Sequence, residues 1–204
     1  MNDETDAGRP DPLDGAAETL DRAAYAMVAQ ATHGLSPATL AQAYFDWAMH
    51  LAASPGKQVQ LAAKAGRKNL RLLDYLLHSA TQGANAEGCD ACKPAITPLP
   101  QDHRFNNPMW SHWPYNLYSQ AFLLNQQWWH AATSGVMGVG KHHEAMVSFA
   151  ARQLLDTLAP TNFIATNPEL QKRIVDTNGQ CLIDGAALWF EDFERSARGE
   201  PPVG

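Results

Sequence analysis

Two cysteines separated by two residues, Cys89 and Cys92, are the first pattern in this sequence that could do chemistry. Such a pair can supply two zinc ligands or act as a redox dithiol. A structural zinc site needs four Cys or His ligands, and the only later cysteine, Cys181, has no second Cys-x-x-Cys beside it. We therefore interpret the pair as incidental, with an adventitious metal site or a redox-sensitive linker as the alternatives.

Two adjacent histidines and an acidic residue, His142, His143 and Glu144, form a second candidate metal site. Neighbouring residues on a helix project about 100° apart, so both imidazoles cannot readily chelate one ion. Zinc-protease helices instead place two histidines four positions apart on one face. We therefore favour an exposed polar helix start, and the sequence predicts no bound metal and no cofactor.

A nucleophile motif is not recognisable in the sequence. In α/β-hydrolases the nucleophile stands in Gly-x-Ser-x-Gly, or Gly-x-Cys-x-Gly in thiol variants, on a strand-to-helix turn. The nearest stretch, Gly179-Gln180-Cys181-Leu182-Ile183, has Ile at the second glycine position and follows a predicted helix. We therefore predict no catalytic residue and interpret Cys181 as a small apolar residue at a helix start.

Aromatic residues cluster in residues 105–129. Most of them would form a core, because each ring buries a large area. Adjacent rings cannot all face one direction on a helix, so some should be exposed and form a contact surface. We expect this partner surface at Trp113, Tyr115, Trp128 and Trp129.

The elements that carry these residues are predicted to be helices. Apolar residues recur three or four positions apart over long stretches, and no strand alternation exceeds a few residues. Three helix starts are marked by a capping side chain before proline, at Ser36-Pro37, Ser54-Pro55 and Asn167-Pro168. The sequence therefore predicts an all-α fold, an irregular multi-helix bundle without an α/β-hydrolase domain.

Turn-rich stretches divide the predicted helices into segments. We predict a disordered lead at 1–15, N-terminal amphipathic helices at 16–82, a linker at 83–101, a core helical domain at 102–198 and a tail at 199–204.

Composition favours a cytoplasmic protein without a nucleic-acid partner. The 204 residues carry a formal net charge of -6, which disfavours binding through phosphate contacts. No apolar run approaches the roughly 20 residues of a membrane span, and the polar N-terminus lacks the pattern of a secretory signal. We therefore expect no transmembrane segment.

Two ordered motifs resemble the N-terminal domain of the poly-β-hydroxybutyrate polymerase (polyhydroxyalkanoate synthase) family. The first comprises Asp102-His103-Arg104-Phe105, Trp110 and Phe122-Leu123-Leu124-Asn125, and the second Ala159-Pro160-Thr161-Asn162-Phe163 and Thr166-Asn167-Pro168-Glu169. The resemblance covers about residues 100–198. Residues 36–82, with Ala52-Ala53-Ser54-Pro55-Gly56-Lys57, resemble extra N-terminal helices of one subgroup.

The matching residues are expected to specify the fold. Pro160 should end one helix, and Asn167 with Pro168 should begin the next. Asn162 should bond to local backbone, Phe163 should anchor the loop in the core, and Arg104 with Asp102 should brace the aromatic helix. The full set of signature residues is Asp102, Arg104, Phe105, Trp110, Pro160, Asn162, Phe163, Thr166, Asn167, Pro168 and Glu169.

The resemblance implies a role in storage-polyester synthesis. Family members polymerise hydroxyacyl-CoA thioesters with release of CoA, using a Cys nucleophile with His and Asp on a following α/β-hydrolase-like domain. No cysteine here matches that nucleophile, and we expect the tail to lead toward a catalytic domain that this chain lacks. We expect a non-catalytic domain that acts through stability, through homodimerisation, or through binding to polyester granules, granule-associated proteins or the catalytic domain of the same or another synthase subunit.

Two other functions stay open from the sequence. One is a complete enzyme that acts through Cys181 or through His142 and His143. The other is a stand-alone interfacial helical module that uses the exposed aromatic residues and the basic face of residues 57–71.

Overall fold

A computed structural model describes residues 12–31, 36–81, 94–201 and 203 of the protein. These residues form helices and loops, and no strand occurs among them. The α-helices in chain order are α1 (Pro12–Ala31), α2 (Pro37–Ala52), α3 (Pro55–Thr81), α4 (Tyr115–Thr133), α5 (Lys141–Thr157), α6 (Pro168–Asp176) and α7 (Gln180–Ala197). Short 3-10 helices occupy Pro108–Ser111 and Pro160–Asn162. The all-α prediction is therefore confirmed.

The chain divides into two compact units. The first comprises Met1–Lys57 and Thr133–Phe149, and the second comprises Gln58–Ala132 and Ala150–Gly204. The helices of the described residues are all too short or too polar to cross a membrane.

Prolines mark the three helix starts that the sequence predicts, and the expected side-chain cap forms at Asn167. Asn167 Oδ1 accepts hydrogen bonds from the backbone N–H groups of Glu169 and Leu170, at 2.9 and 3.1 Å, and so caps α6. The expected cap at Ser36 is wrong, because Ser36 makes no side-chain cap bond. The Ser54 hydroxyl donates to the His50 carbonyl one turn earlier, at 2.7 Å, near the end of α2.

Several sequence predictions fall at the edge of the described residues or outside them. Helix α1 begins at Pro12, within the segment 1–15 that we predicted as a disordered lead, and residues 1–11 lie outside the described residues. Cys89 and Cys92 also lie outside them. Cys181 is half-buried near the start of α7, the position that the sequence indicates.

The core of the second unit forms where α4 meets the segment after α5. Phe122, Leu123 and Ala159 are buried together, and Ile96 and Phe105 pack against them. A buried Leu or Phe side chain contributes roughly 1.5–3 kcal/mol relative to an exposed one, so this cluster stabilises the unit by several kcal/mol before entropy costs.

The buried polar side chains of α4 form hydrogen bonds with backbone groups. Gln120 accepts a hydrogen bond from the backbone N–H of Ile96, at 2.8 Å, and Ser119 donates to the Asn116 carbonyl, at 3.0 Å. Throughout the described part of the chain, no buried side-chain nitrogen or oxygen lacks a hydrogen-bond partner. The loop before α4 is thus attached to the helix through its backbone.

Candidate functional site

The centre of the signature region is the guanidinium of Arg104. Its Nε and Nη2 donate to the two carboxylate oxygens of Asp102, at 2.8 and 2.7 Å, which is a bidentate pair. Its Nη1 donates to Asp156 Oδ1, at 2.7 Å, near the end of α5. Arg104 therefore ties the loop that precedes α4 to the last turn of α5, and bidentate geometry makes this contact directional.

This ion pair shifts the pKa values of both partners. Hydrogen bonds from Arg104 hold the pKa of Asp102 below its ordinary value of 3.8, against the opposing effect of burial. Asp102 in turn raises the pKa of Arg104, and Asp156 adds to that effect. The side chains of Arg104 and Asp102 are 26% and 9% exposed, so each charge depends on its partner to offset lost hydration.

Aromatic rings enclose the other side of the guanidinium. The Arg104 guanidinium carbon lies 5.1 Å from the ring centre of Phe122 and 5.8 Å from that of Phe105. Phe105 in turn packs edge-to-face on Trp110, with ring centres 5.0 Å apart. Such cation–aromatic and edge-to-face contacts each contribute roughly 0.5–1.5 kcal/mol, so the ring cluster and the ion pair reinforce each other.

Trp110 joins the first signature motif to the second. Its indole N–H donates to Glu169 Oε1, at 2.9 Å. Glu169 lies in the first turn of α6, where the helix dipole favours a negative charge. The two motifs that resemble the synthase family are therefore in direct contact, although many residues separate them in sequence.

The loop between α5 and α6 is held by side-chain bonds to its own backbone. Asn162 Nδ2 donates to the carbonyls of Asp156 and Thr157, at 2.8 and 3.1 Å. Thr166 Oγ1 donates to the Pro160 carbonyl, and Asn167 Nδ2 donates to the Thr161 carbonyl, both at 2.7 Å. Asn162 thus bonds to two carbonyls in the last turn of α5, and that of Asp156 also accepts from the Ala159 N–H.

The expectation that Phe163 anchors this loop in the core is wrong. Its side chain is 46% exposed, whereas the preceding Ala159 is 1% exposed and belongs to the core cluster. Pro160 and Pro168 are also buried. The 3-10 turn at Pro160–Asn162 therefore places Ala159 and Pro160 inside and leaves the phenylalanine that follows it at the surface.

Two residues of this site were missed by sequence reasoning. Asp156 is the second carboxylate on Arg104 and lies 52 positions away in the chain. Gln171 donates to the carbonyls of Ile164 and Ala165, at 2.8 and 3.0 Å, and accepts from the Tyr115 hydroxyl. Neither residue belongs to a local sequence motif that predicts its contact, so these contacts are seen only in the folded structure.

The predicted aromatic partner surface is exposed at only one of its four residues. Trp113 is 74% exposed, whereas Tyr115, Trp128 and Trp129 are half-buried. The indole N–H of Trp128 donates to the Leu61 carbonyl, at 3.0 Å, which explains how a polar ring atom is accommodated between α3 and α4.

A different apolar surface, on α7, is exposed. We call it the α7 aromatic face, and it consists of Leu182, Ile183, Trp189, Phe190 and Phe193. No residue of α7 is buried, and Trp189 stacks on Phe193 with ring centres 5.8 Å apart. These residues recur at helical spacing, so the face was detectable in the sequence, but its exposure was not.

His143, the second of the two adjacent histidines, contacts Asp46 in the first unit, and its ring centre lies 6.2 Å from that of His142. His143 Nδ1 lies 2.7 Å from Asp46 Oδ2, and His50 Nδ1 lies 3.1 Å from the other Asp46 oxygen. The hydrogen bond with His143 is the main cause of a lowered pKa at Asp46. Glu144 instead accepts a hydrogen bond from the backbone N–H of Gly135, at 2.8 Å. The side chains of His143 and Glu144 therefore serve helix packing and a loop contact, respectively.

Comparison with known protein families identifies the class of this helical domain. The family described as poly-beta-hydroxybutyrate polymerase (PhaC) N-terminus matches residues 101–200, and the one described as poly-beta-hydroxybutyrate polymerase N terminal matches residues 15–57. Both describe the N-terminal part of the same kind of enzyme. The chain belongs to the poly-β-hydroxybutyrate polymerase family and corresponds to its N-terminal region.

Curated relatives agree with this assignment. The chain is 33% identical over 141 residues to poly(3-hydroxyalkanoate) polymerase of Methylorubrum extorquens, which covers 69% of this chain and 22% of the relative. It is 32% identical over 118 residues to the poly(3-hydroxyalkanoate) polymerase subunit PhaC of Cupriavidus necator, covering 57% and 19% of the two chains. The chain thus spans about a fifth of the length of these relatives. No solved structure matches it.

Proposed function

We propose that this domain supports polyester synthesis by binding the catalytic domain of a poly(3-hydroxyalkanoate) polymerase through the α7 aromatic face. The reaction served would be transfer of a hydroxyacyl group from hydroxyacyl-CoA to a growing polyester. The domain itself would contribute contact and stability, while the nucleophile would come from the catalytic domain.

The α7 aromatic face is the observation that carries this proposal. Trp189, Phe190 and Phe193 are each more than 60% exposed. Contiguous exposed apolar surface of this kind marks an interaction site more often than a solvated one. The opposite side of α7 carries exposed Asp184 and Glu191, so the helix is amphipathic.

The signature residues hold helix α6, against which α7 packs. Helix α6 packs against both α7 and the 3-10 helix at Pro108–Ser111. Since Trp110 and Asn167 fix the start of α6, the signature residues also determine where α7 begins. This arrangement supports a role for the signature residues in positioning a contact surface.

A binding experiment with the separately produced catalytic domain of a relative tests the proposal. We expect the chain to bind that domain and to change its rate of CoA release from 3-hydroxybutyryl-CoA. The double variant Trp189→Ala/Phe193→Ala should weaken binding on the order of tenfold or more, because buried aromatic anchors dominate interface energies. Calorimetry measures the binding.

The matched control removes two large exposed apolar side chains that lie off this face. Trp113→Ala/Leu188→Ala should bind like the wild type, since Trp113 precedes α4 and Leu188 lies on the opposite side of α7. Equal affinity of the wild type and the Trp189/Phe193 variant for the catalytic domain would refute the proposal.

Attachment to polyester granules is a second candidate function, favoured by an apolar stripe on α3. Val59, Leu70, Leu73 and Leu77 are all at least half exposed and share one face of the helix. A granule surface, a granule-associated protein or a second copy of the chain could cover such a stripe. Flotation with isolated granules tests this function by comparing the wild type with Leu70→Gln/Leu77→Gln. Equal flotation of the two proteins would show that the stripe is not the granule-binding surface.

A further inference from the structure

A cleft between α3 and α4, within the second unit, is lined mainly by basic residues. We call it the α3 basic cleft, and its volume is about 300 Å³. Helix α4 contributes polar and small residues to one wall, and no carboxylate of the described residues lines the cleft. The lining residues are Lys64, Arg67, Lys68, Arg71, Gln127, His130 and Ala131.

Helix spacing brings the four cations together. Residues 64, 67, 68 and 71 follow the i, i+3, i+4, i+7 pattern, which places their side chains on one face within about two turns. Like charges at these spacings repel one another and destabilise a helix by a few tenths of a kcal/mol per pair. A face of this kind therefore carries an energetic cost in the absence of a counter-charge.

The protein does not supply that counter-charge within the part of the chain that the structure describes. There, the side chains of Lys64, Arg67 and Arg71 form no ion pair and no hydrogen bond, and the Lys68 ammonium donates only to the neutral amide of Gln127. Several cations on other helices are instead paired with carboxylates. Lys172, for example, pairs with the carboxylate one turn away on its own helix.

The pKa of Lys68 reflects the positive charge that surrounds it in the cleft. Burial is the main cause of the lowered pKa of its ammonium group, and the neighbouring charges of Arg71, Lys64 and Arg67 lower that pKa further. Both effects disfavour the charged form, and an anion in the cleft would reverse the second one. The cleft is thus a local positive site on a chain with a formal net charge of -6.

We propose that the α3 basic cleft binds a compact anion that carries several phosphate groups. Arg67 and Arg71 offer planar forks that match phosphate oxygens, and Lys64 and Lys68 add compact charges. A volume of about 300 Å³ lies at the lower end of ligand pockets, which suits a short chain of phosphates. The phosphates can come from a soluble molecule or from phospholipid headgroups.

Calorimetric titration of the full chain with tripolyphosphate tests for a soluble occupant. Sedimentation with phosphatidylglycerol vesicles, compared with phosphatidylcholine vesicles, tests for a lipid surface. We expect binding in one of these arms, and binding should weaken as sodium chloride is raised because salt screens charge–charge attraction. Absence of binding in both arms would overturn the proposal.

Charge-neutralising variants locate the bound anion. Arg67→Gln/Arg71→Gln should raise the dissociation constant on the order of tenfold or more, as expected when charge-assisted hydrogen bonds are lost. Lys64→Gln is a second, independent variant with a smaller expected loss. All three side chains are exposed, so their removal leaves the core intact.

The matched control removes two positive charges elsewhere. Arg22→Gln/Arg198→Gln gives the same net charge, and each of these arginines pairs with a carboxylate four residues earlier. This control should bind the anion like the wild type. If it lost as much affinity as Arg67→Gln/Arg71→Gln, the attraction would be a property of net charge alone and the cleft would not be the site.

Discussion

Arg104 and the α3 basic cleft show two uses of positive charge within one unit of the protein. Arg104 meets two carboxylates and two aromatic rings, and its pKa is raised. The cleft cations meet one another, and the pKa of Lys68 is lowered. The charge of Arg104 is neutralised by carboxylates of the fold, whereas the charges of the cleft are available to a ligand. Removing a charge should therefore have opposite consequences for stability in the two places.

The largest expected effect is that of Arg104→Ala. Removal of the guanidinium leaves the nearly buried Asp102 carboxylate without its bidentate partner and removes the cation above Phe122. Breaking a buried ion pair in this way costs about 3 kcal/mol of unfolding free energy. Urea denaturation measures the loss, and Arg104→Lys should fall between the wild type and the alanine variant because it keeps the charge but not the fork.

Arg152 provides the control for this prediction. It also approaches Asp156, at 3.7 Å, but its side chain is 55% exposed. Arg152→Ala should change the unfolding free energy by no more than about 0.5 kcal/mol, since exposed ion pairs contribute little. Similar losses in the Arg104 and Arg152 variants would mean that Arg104 is not specially placed.

The same ion pair predicts how stability depends on pH. The pKa of Asp102 lies below its ordinary 3.8 in the folded protein, so its contribution is complete above that value and disappears as pH falls through the folded-state pKa. In Arg104→Ala, burial still raises the pKa of Asp102, and only the backbone N–H of residue 104 and the charge of Arg152 oppose it, so that pKa should be higher than in the wild type. The stability difference between the two proteins should therefore narrow below about pH 4. Urea melts across pH 3–7 test this, and a constant difference would contradict it.

Loss of the uncharged cap at Asn167 should have the next largest effect on the unfolding free energy. Asn167→Ala removes the cap of α6 and the bond to the Thr161 carbonyl, so it should cost about 1–2 kcal/mol. Ser36→Ala is the matched control, since Ser36 precedes α2 without a side-chain cap bond and should be near neutral. Equal losses in the two variants would show that the position before proline, rather than the hydrogen bond, determines the effect.

Sequence alone predicted the parts of this fold that depend on neighbouring residues. The helical class, the family and the proline-marked starts of α2, α3 and α6 all follow from local patterns. Arg104 and Asp102 stand two positions apart, so their pairing was also accessible. Helix geometry and short-range hydrogen bonds explain this success.

The features that were wrong or missed depend on chain that is distant in sequence. Asp156 could not be assigned to Arg104 without knowing that α5 ends beside the loop that precedes α4. Phe163 was expected in the core, but Ala159 takes that place. Likewise the amphipathic pattern of α7 is visible in the sequence, whereas the absence of any buried residue on it is a tertiary property.

The smallest expected change in unfolding free energy is a gain in stability, and it tests the comparison of the two cation sites most directly. Arg67→Gln removes one of four repelling charges from α3 and breaks no ion pair or hydrogen bond among the described residues. We expect unfolding free energy to rise by a few tenths of a kcal/mol at low salt, and the gain to shrink at high salt. Urea denaturation at two ionic strengths measures both values. A loss of stability comparable to that of Arg104→Ala would mean that the cleft cations hold the fold together, and the distinction between the two sites would then fail.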